Sequence, residues 1–270
     1  MGIRIVYIAE IVGKAGIWCV KQGLPELKKS EKPDLVIANG DGTTGGAGLG
    51  RQHAGYLRKL GIDVITGGDS IFFKKDLVEG MDTVPYVLRP ANFPLQSPGR
   101  GWRFAQAGRE RVAVVSMLGQ AGFSRVHGDN PFAALHPLCD RLRQETPYIV
   151  VDFHAAATAE KQAFFRHADG RASAVIGSHG RVQTADPSIL PNGCGVITDA
   201  GRTGSLDSVG GTDPEVHIRE YLSRMPDWSK DAWTRPALQG VVIDLDDSGK
   251  TAAIRSFSHD CGEPPQQDRV

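Results

Sequence analysis

Short β-branched runs, apolar on consecutive residues, recur along this chain and alternate with stretches of helical character. Leu35-Val36-Ile37 and Val112 to Met117 are two of them. A strand that is apolar on both faces must be covered on both, so the pattern calls for an α/β fold with packed sheets. Strands are predicted over 4–9, 34–39, 63–66, 112–117, 148–153 and 172–176, with helices over 14–29, 51–60, 131–144 and 157–166. Gly16, Gly23 and Pro25 weaken the first helix. Further on, 194–199 and 240–245 read as strands. Residues 251–258 alternate like an antiparallel edge strand after an Asp-Asp-Ser-Gly turn. The stretch 89–103, rich in Pro and Gly, reads as a loop able to cover a site.

Composition removes several function classes. Lys+Arg and Asp+Glu are equal at 31 each, so no global field draws the chain to nucleic acid or anionic lipid. None of Cys19, Cys139, Cys194 and Cys261 belongs to a C-x-x-C pair, and scattered single cysteines suit a reducing compartment. No apolar run approaches ~20 residues, so no membrane span is predicted. A cytoplasmic location is the expectation.

The residues that could carry chemistry stand just beyond the strand ends. The run 4–9 leads into Glu10, 34–39 into Gly40-Asp41, 63–66 into Gly67-Gly68-Asp69, 148–153 into His154, and 172–176 into Gly177-Ser178-His179. Ligands of open α/β sheets sit at the carboxyl ends of the strands. Three carboxylates and two imidazoles there suit a divalent metal such as Mn, Fe or Zn. Taken singly, Asp41 and Asp69 fit turn or N-cap roles, His154 a core histidine, and Glu10 a solvent-facing acid. Asp152, Asp186 and Asp199 are candidate partners for imidazole N–H groups. The glycine-rich 45–50 fits neither phosphate-loop fingerprint and reads as a flexible loop. Arg89, Arg100 and Arg103 read equally as a phosphate-holding set or as a solvated loop face.

Several strings together resemble the YmdB-like branch of the calcineurin-like metallophosphoesterases: Ile-Val-Gly-Lys at 11–14, Ile-Ala-Asn-Gly-Asp at 37–41, Leu-Arg-Pro-Ala-Asn at 88–92, Pro-Gly-Arg-Gly at 98–101, Asp-Asn-Pro-Phe at 129–132, Val-Asp-Phe-His-Ala at 151–155, Val-Gln-Thr-Ala-Asp at 182–186 and Ile-Thr-Asp-Ala-Gly at 197–201. The resemblance covers about residues 3–211. It implies a four-layer α/β/β/α sandwich of the metallophosphoesterase type, read as one domain over residues 1–260, while the polar composition and two prolines of 261–270 predict a frayed tail. It also implies one or two divalent ions per chain at the strand ends, hydrolysis of phosphodiesters such as 2′,3′-cyclic nucleotides, and a homo-oligomer.

The match at the site is partial. The family's first-strand Asp falls on Glu10, its bridging Glu on Asp41, and the neighbouring Asn on Gly42. Its Asn-His pair falls on Asp69-Ser70. His154 and His179 are retained, and the last histidine is Arg181. Asp41, Asp69, His154 and His179 would still supply one metal position, with Glu10 as the acid of the other. Arg181 cannot ligate a metal, because guanidinium stays protonated and has no lone pair. It is expected to pair with Glu10, standing in for the lost ion, and to help hold phosphate beside Gly42. Ser70 stands where the family's proton-donating histidine would be. The expectation is a metal-dependent phosphodiesterase with a reduced, one-ion site. The alternative is a catalytically impaired member that binds a nucleotide or a protein partner.

Overall fold

The computed structural model describes residues 2–262, 264 and 265. The chain opens with β1 (Ile3–Ile8), β2 (Glu10–Ile11), α1 (Gly13–Glu31), β3 (Leu35–Asn39), α2 (Arg51–Leu60), β4 (Val64–Thr66), α3 (Lys75–Gly80) and β5 (Val87–Leu88). It then builds a second sheet from β6 (Trp102–Ala107), β7 (Glu110–Leu118), β8 (Ile149–His154), β9 (Ala174–Ser178), β10 (Ser188–Ile189) and β11 (Gly195–Ile197), with α4 (Pro131–Leu142) and α5 (Thr158–Ala168) between. Finally β12 (Arg202–Ser205), α6 (Pro214–Ser223), β13 (Pro236–Leu245) and β14 (Thr251–Asp260) return to the first sheet. That sheet runs β2-β12-β13-β1-β3-β4-β5, with β14 on β13, and the second runs β10-β11-β9-β8-β7-β6.

The period-two alternation of strands sorts side chains into layers. Ile5, Tyr7, Leu35 and Ile37 pack inward against Val112, Val114, Val150 and Ile176 of the second sheet. Their neighbours Val6, Ile8, Val36 and Ala38 face outward, under Leu24 of α1 and Leu57 of α2. On the far side, Val115, Ile149, Val151 and Phe153 lie under Leu135 of α4 and Phe164 of α5. The order is helix, sheet, sheet, helix, as the resemblance implied. Among the described residues no helix is long and apolar enough to cross a membrane.

α1 runs through Pro25. Its buried stripe of Cys19, Val20, Leu24 and Leu27 offsets the one helical bond the proline forfeits. Seven elements were not predicted: the short β2, α3, β5, β10 and β12, and the longer β6 and α6. β6 begins inside the loop expected over 89–103; its sequence WRFAQA is half-exposed and carries Arg103 and Gln106, so it lacks an apolar run. The amphipathic α6 keeps only Val216 buried. β13 starts four residues before the predicted strand, at a proline that needs no ladder donor at a strand's first position. Of the tail, Cys261 packs its thiol on the Cys19 carbonyl at 3.6 Å and the Gly262 carbonyl accepts from Trp18 Nε1 at 3.3 Å. Positions 263 and 266–270 lie outside the described residues.

Candidate metal centre

The alternation that fills the inter-sheet layer also places polar side chains at one end of it. Asn39 ends β3, Thr66 ends β4, Asp152 and His154 close β8, and Ser178 ends β9; all are buried. Asp152 accepts from Asn39 Nδ2 at 2.9 Å, from Ser178 Oγ at 2.6 Å and from the Thr66 hydroxyl. Because the Ser178 proton is given to Asp152, Ser178 Oγ is left to accept from His154 Nδ1 at 2.9 Å. That fixes the tautomer. Nδ1 carries the hydrogen, so Nε2, facing the space beyond the strand ends, is the nitrogen that offers a lone pair once the ring is neutral and otherwise donates to Asp69.

His154 Nε2 lies 3.0 Å from Asp69 Oδ1 and 3.1 Å from His179 Nδ1, and His179 Nδ1 is 3.4 Å from Asp69 Oδ1. One donor atom from each of Asp69, His154 and His179 falls within 4.8 Å of the others. Two imidazole nitrogens and a carboxylate oxygen are the donor types of a Zn, Mn or Fe site, so these residues fit one divalent ion. Asp41 is 3.6 Å from His154 Nε2 but stands outside this triad. Its oxygens accept the backbone N–H groups of Gly68 at 2.6 Å and Ser70 at 3.0 Å, clamping the loop that carries Asp69. A side chain at Gly68 would run its Cβ into the His154 ring, so only glycine lets this loop lie on the imidazole. Phe123 stacks over His154 with centroids 6.2 Å apart and meets His179 edge-on at 4.9 Å. Phe123 lies five residues past the carboxyl end of β7, in a loop whose sequence carries no metal-ligand pattern that would have signalled the role.

A second ion does not fit. Arg181 gives Nε and Nη2 to Glu10 Oε1 at 2.9 and 2.6 Å, Nη2 to Gly46 O at 2.8 Å, and Nη1 to Gly210 O at 3.1 Å. Glu10 is 1% exposed, and its second oxygen has no hydrogen-bond partner. The guanidinium supplies its counter-charge. Gly42 belongs to this arrangement: a Cβ there would sit 2.8 Å from Arg181 Nη2 and 2.9 Å from Glu10 Oε1. A side chain at 42 and the Glu10–Arg181 pair as placed therefore exclude one another. The loop at 45–50, read as flexible, is tied down by this contact and by Gly48 N donating to the Asp41 carbonyl at 2.5 Å.

Two further expectations are corrected. Asp199 touches no imidazole. It pairs with buried Lys161 at 2.7 Å and accepts Gly180 N at 2.8 Å, fixing the turn between His179 and Arg181. Asp186 accepts from Thr198 N and Oγ1 instead. Asp199 is thus taken up by Lys161 of α5 and by the Gly180 and Gly201 N–H groups, and Asp186 by Thr198.

Burial, against the pull of His154, pushes Asp41 up to about 6. Burial also acts to lower His154, but its hydrogen bond to Asp69 and the charges of Asp41 and Glu10 outweigh it and raise the imidazole to about 9. Burial would raise Asp69, yet its bonds to His154 and His179 hold it well below the carboxylate range. A histidine that titrates near 6.5 unfolded and about 9 folded stabilises fully below 6.5, and that contribution is lost as pH rises through 9. Protein treated with chelator should therefore show a falling urea midpoint across this window, and His154→Gln should flatten the fall. A slope unchanged in that variant would refute the assignment.

Four layers with a His/Asp cluster at the carboxyl ends of the inner strands define the calcineurin-like metallophosphoesterase class of fold. Within it, the chain belongs to the YmdB-like protein family, whose model matches residues 6–257. It is 40% identical over 250 residues to a 2′,3′-cyclic-nucleotide 2′-phosphodiesterase of Bacillus subtilis (strain 168), covering 93% of this chain and 94% of the relative. A crystal structure of a phosphatase from Mycoplasma pneumoniae superposes with a TM-score of 0.90 at 28% identity, covering 99% of this chain and 96% of that one. A protein of Thermus thermophilus superposes at 0.89 with 31% identity, covering 97% and 100%.

Proposed function

We propose that this protein is a one-ion phosphodiesterase acting on cyclic nucleotides or related small phosphodiesters. The observation that carries the reading is the convergence of Asp69, His154 and His179 donors within 4.8 Å, with the buried acid Glu10 already paired to the Arg181 guanidinium. A bound divalent ion would polarise a phosphoryl oxygen and acidify water. The chain's own residues do the rest. The Asn39–Asp152–Ser178 network holds His154 Nε2 in its lone-pair tautomer. Arg181 spends four of its five N–H groups on Glu10, Gly46 and Gly210, leaving one on Nη1 for a phosphoryl oxygen. Phe123 shields the imidazoles on one side. Ser70, whose hydroxyl points to Asp69 Oδ2 at 3.3 Å, is a poor acid for a leaving oxygen, so turnover is slow.

Purified protein should carry one ion per chain by elemental analysis, and Mn should support hydrolysis of a chromogenic phosphodiester. His154→Ala should remove both. Two ions per chain, or no hydrolysis with any of Mn, Fe and Zn, would defeat the reading. The Glu10–Arg181 pair and Ser70 favour a second reading, in which the site binds a nucleotide without turnover. Calorimetry separates the two: binding of a cyclic nucleotide that stays intact over hours selects the second.

A further inference from the structure

The loop after β5 and the edge strand β6 form an open-mouthed cleft that shares no lining residue with the Asp69–His154–His179 cluster. Its volume is about 630 Å³, within the range that encloses a small molecule. β5 and β6 are each the last strand of their sheet, so the cleft lies at the open edge of the sandwich. Arg89, Arg100, Arg103, Arg111 and Arg141 line it, and no acidic residue does.

Among the described residues only Arg111 of these five has a carboxylate within ion-pair distance, Glu145 at 3.2 Å, although the charge of Asp63 also reaches Arg103. Arg89 is 5% exposed. Its Nη1 donates to the Pro90 carbonyl at 2.8 Å, while its buried Nε has no partner. Arg103 reaches only the Phe104 carbonyl, at 3.4 Å, and Arg100 makes no side-chain bond among the described residues. Two of the arginines are held as a stacked wall: Arg141 lies over the Trp102 ring at 5.3 Å and Arg111 over Phe104 at 4.2 Å. Like charges gathered round one buried, unsatisfied donor repel one another unless an anion joins them. Guanidinium forks match phosphoryl oxygens two at a time.

We propose that this cleft is a binding site for a multiply charged phosphate, of the pyrophosphate or nucleoside-phosphate class, separate from the metal centre. Arg89 supplies the buried donor, and Arg100 and Arg103 supply the accessible forks. Calorimetry with pyrophosphate on chelator-treated protein tests it, using wild type, His154→Ala and the double variant Arg100→Ala/Arg103→Ala. Both positions of the double variant reach solvent, and its unfolding midpoint confirms that it folds. Binding should persist in His154→Ala, weaken at least about tenfold in the double variant, and fall with added salt. No binding to wild type overturns the proposal. So does binding lost in His154→Ala and kept in the double variant, which would place the anion at the metal centre.

Discussion

Arg181→Met is expected to destabilise the protein by about 3–5 kcal/mol, because it strands a buried carboxylate. Glu10 is 1% exposed, and the carboxylate has one unpartnered oxygen already. Burial pushes its pKa up, and the charge and hydrogen bonds of Arg181 are the main reason it nevertheless lies below the ordinary value. Removing the guanidinium also frees the Gly46 and Gly210 carbonyls that it ties to the site. Adding Glu10→Gln to Arg181→Met removes the stranded charge, so the double variant should recover a large part of the loss. Urea unfolding in the presence of chelator measures all three proteins. A single variant within about 1 kcal/mol of wild type, or a double variant no better than the single, would show that the pair is not what holds this half of the site.

Much of this arrangement was legible before the structure, for a definable reason. Runs such as Leu35–Asn39 and Ile149–His154 are central, buried on both faces, and short, so hydrophobicity alone located them within two residues. Once strands are located, period two and the carboxyl-end rule place Asp41, Asp69, His154 and His179 at one end. The pairing of Glu10 with Arg181 was expected only through the family resemblance, which sets Arg181 at the place of a ligand histidine and leaves Glu10 in need of another cation. What could not be read was anything decided by loops meeting across the sandwich. Phe123, the tie from Gly46 to Arg181, and the bond of Asp199 to Lys161 join segments up to 135 positions apart, and no local pattern encodes them. The half-exposed β6 escaped for the opposite reason: its edge position tolerates the arginine and glutamine that erase its signal.

Ser70→His should raise the hydrolysis of a 2′,3′-cyclic nucleotide by about 10²–10⁴-fold, the usual worth of a placed general acid. Ser70 is well placed for the change. Its backbone N–H is held by Asp41 Oδ2 at 3.0 Å, it follows Asp69 directly, and its hydroxyl lies 3.3 Å from Asp69 Oδ2, beside the metal centre. A serine hydroxyl cannot protonate a departing ribose oxygen near neutral pH; an imidazole can. The size of the gain should depend on the leaving group. A nitrophenolate departs without a proton, so the same substitution should change hydrolysis of a nitrophenyl phosphodiester by no more than about threefold, because no acid is needed there. Measuring kcat/KM for both substrates in wild type and variant reads the difference directly. An equal gain on both would mean that the histidine acts by holding the phosphate rather than by giving a proton. A gain on neither would mean that protonation of the leaving oxygen does not limit this site, and the account of Ser70 as its weakest point would fail.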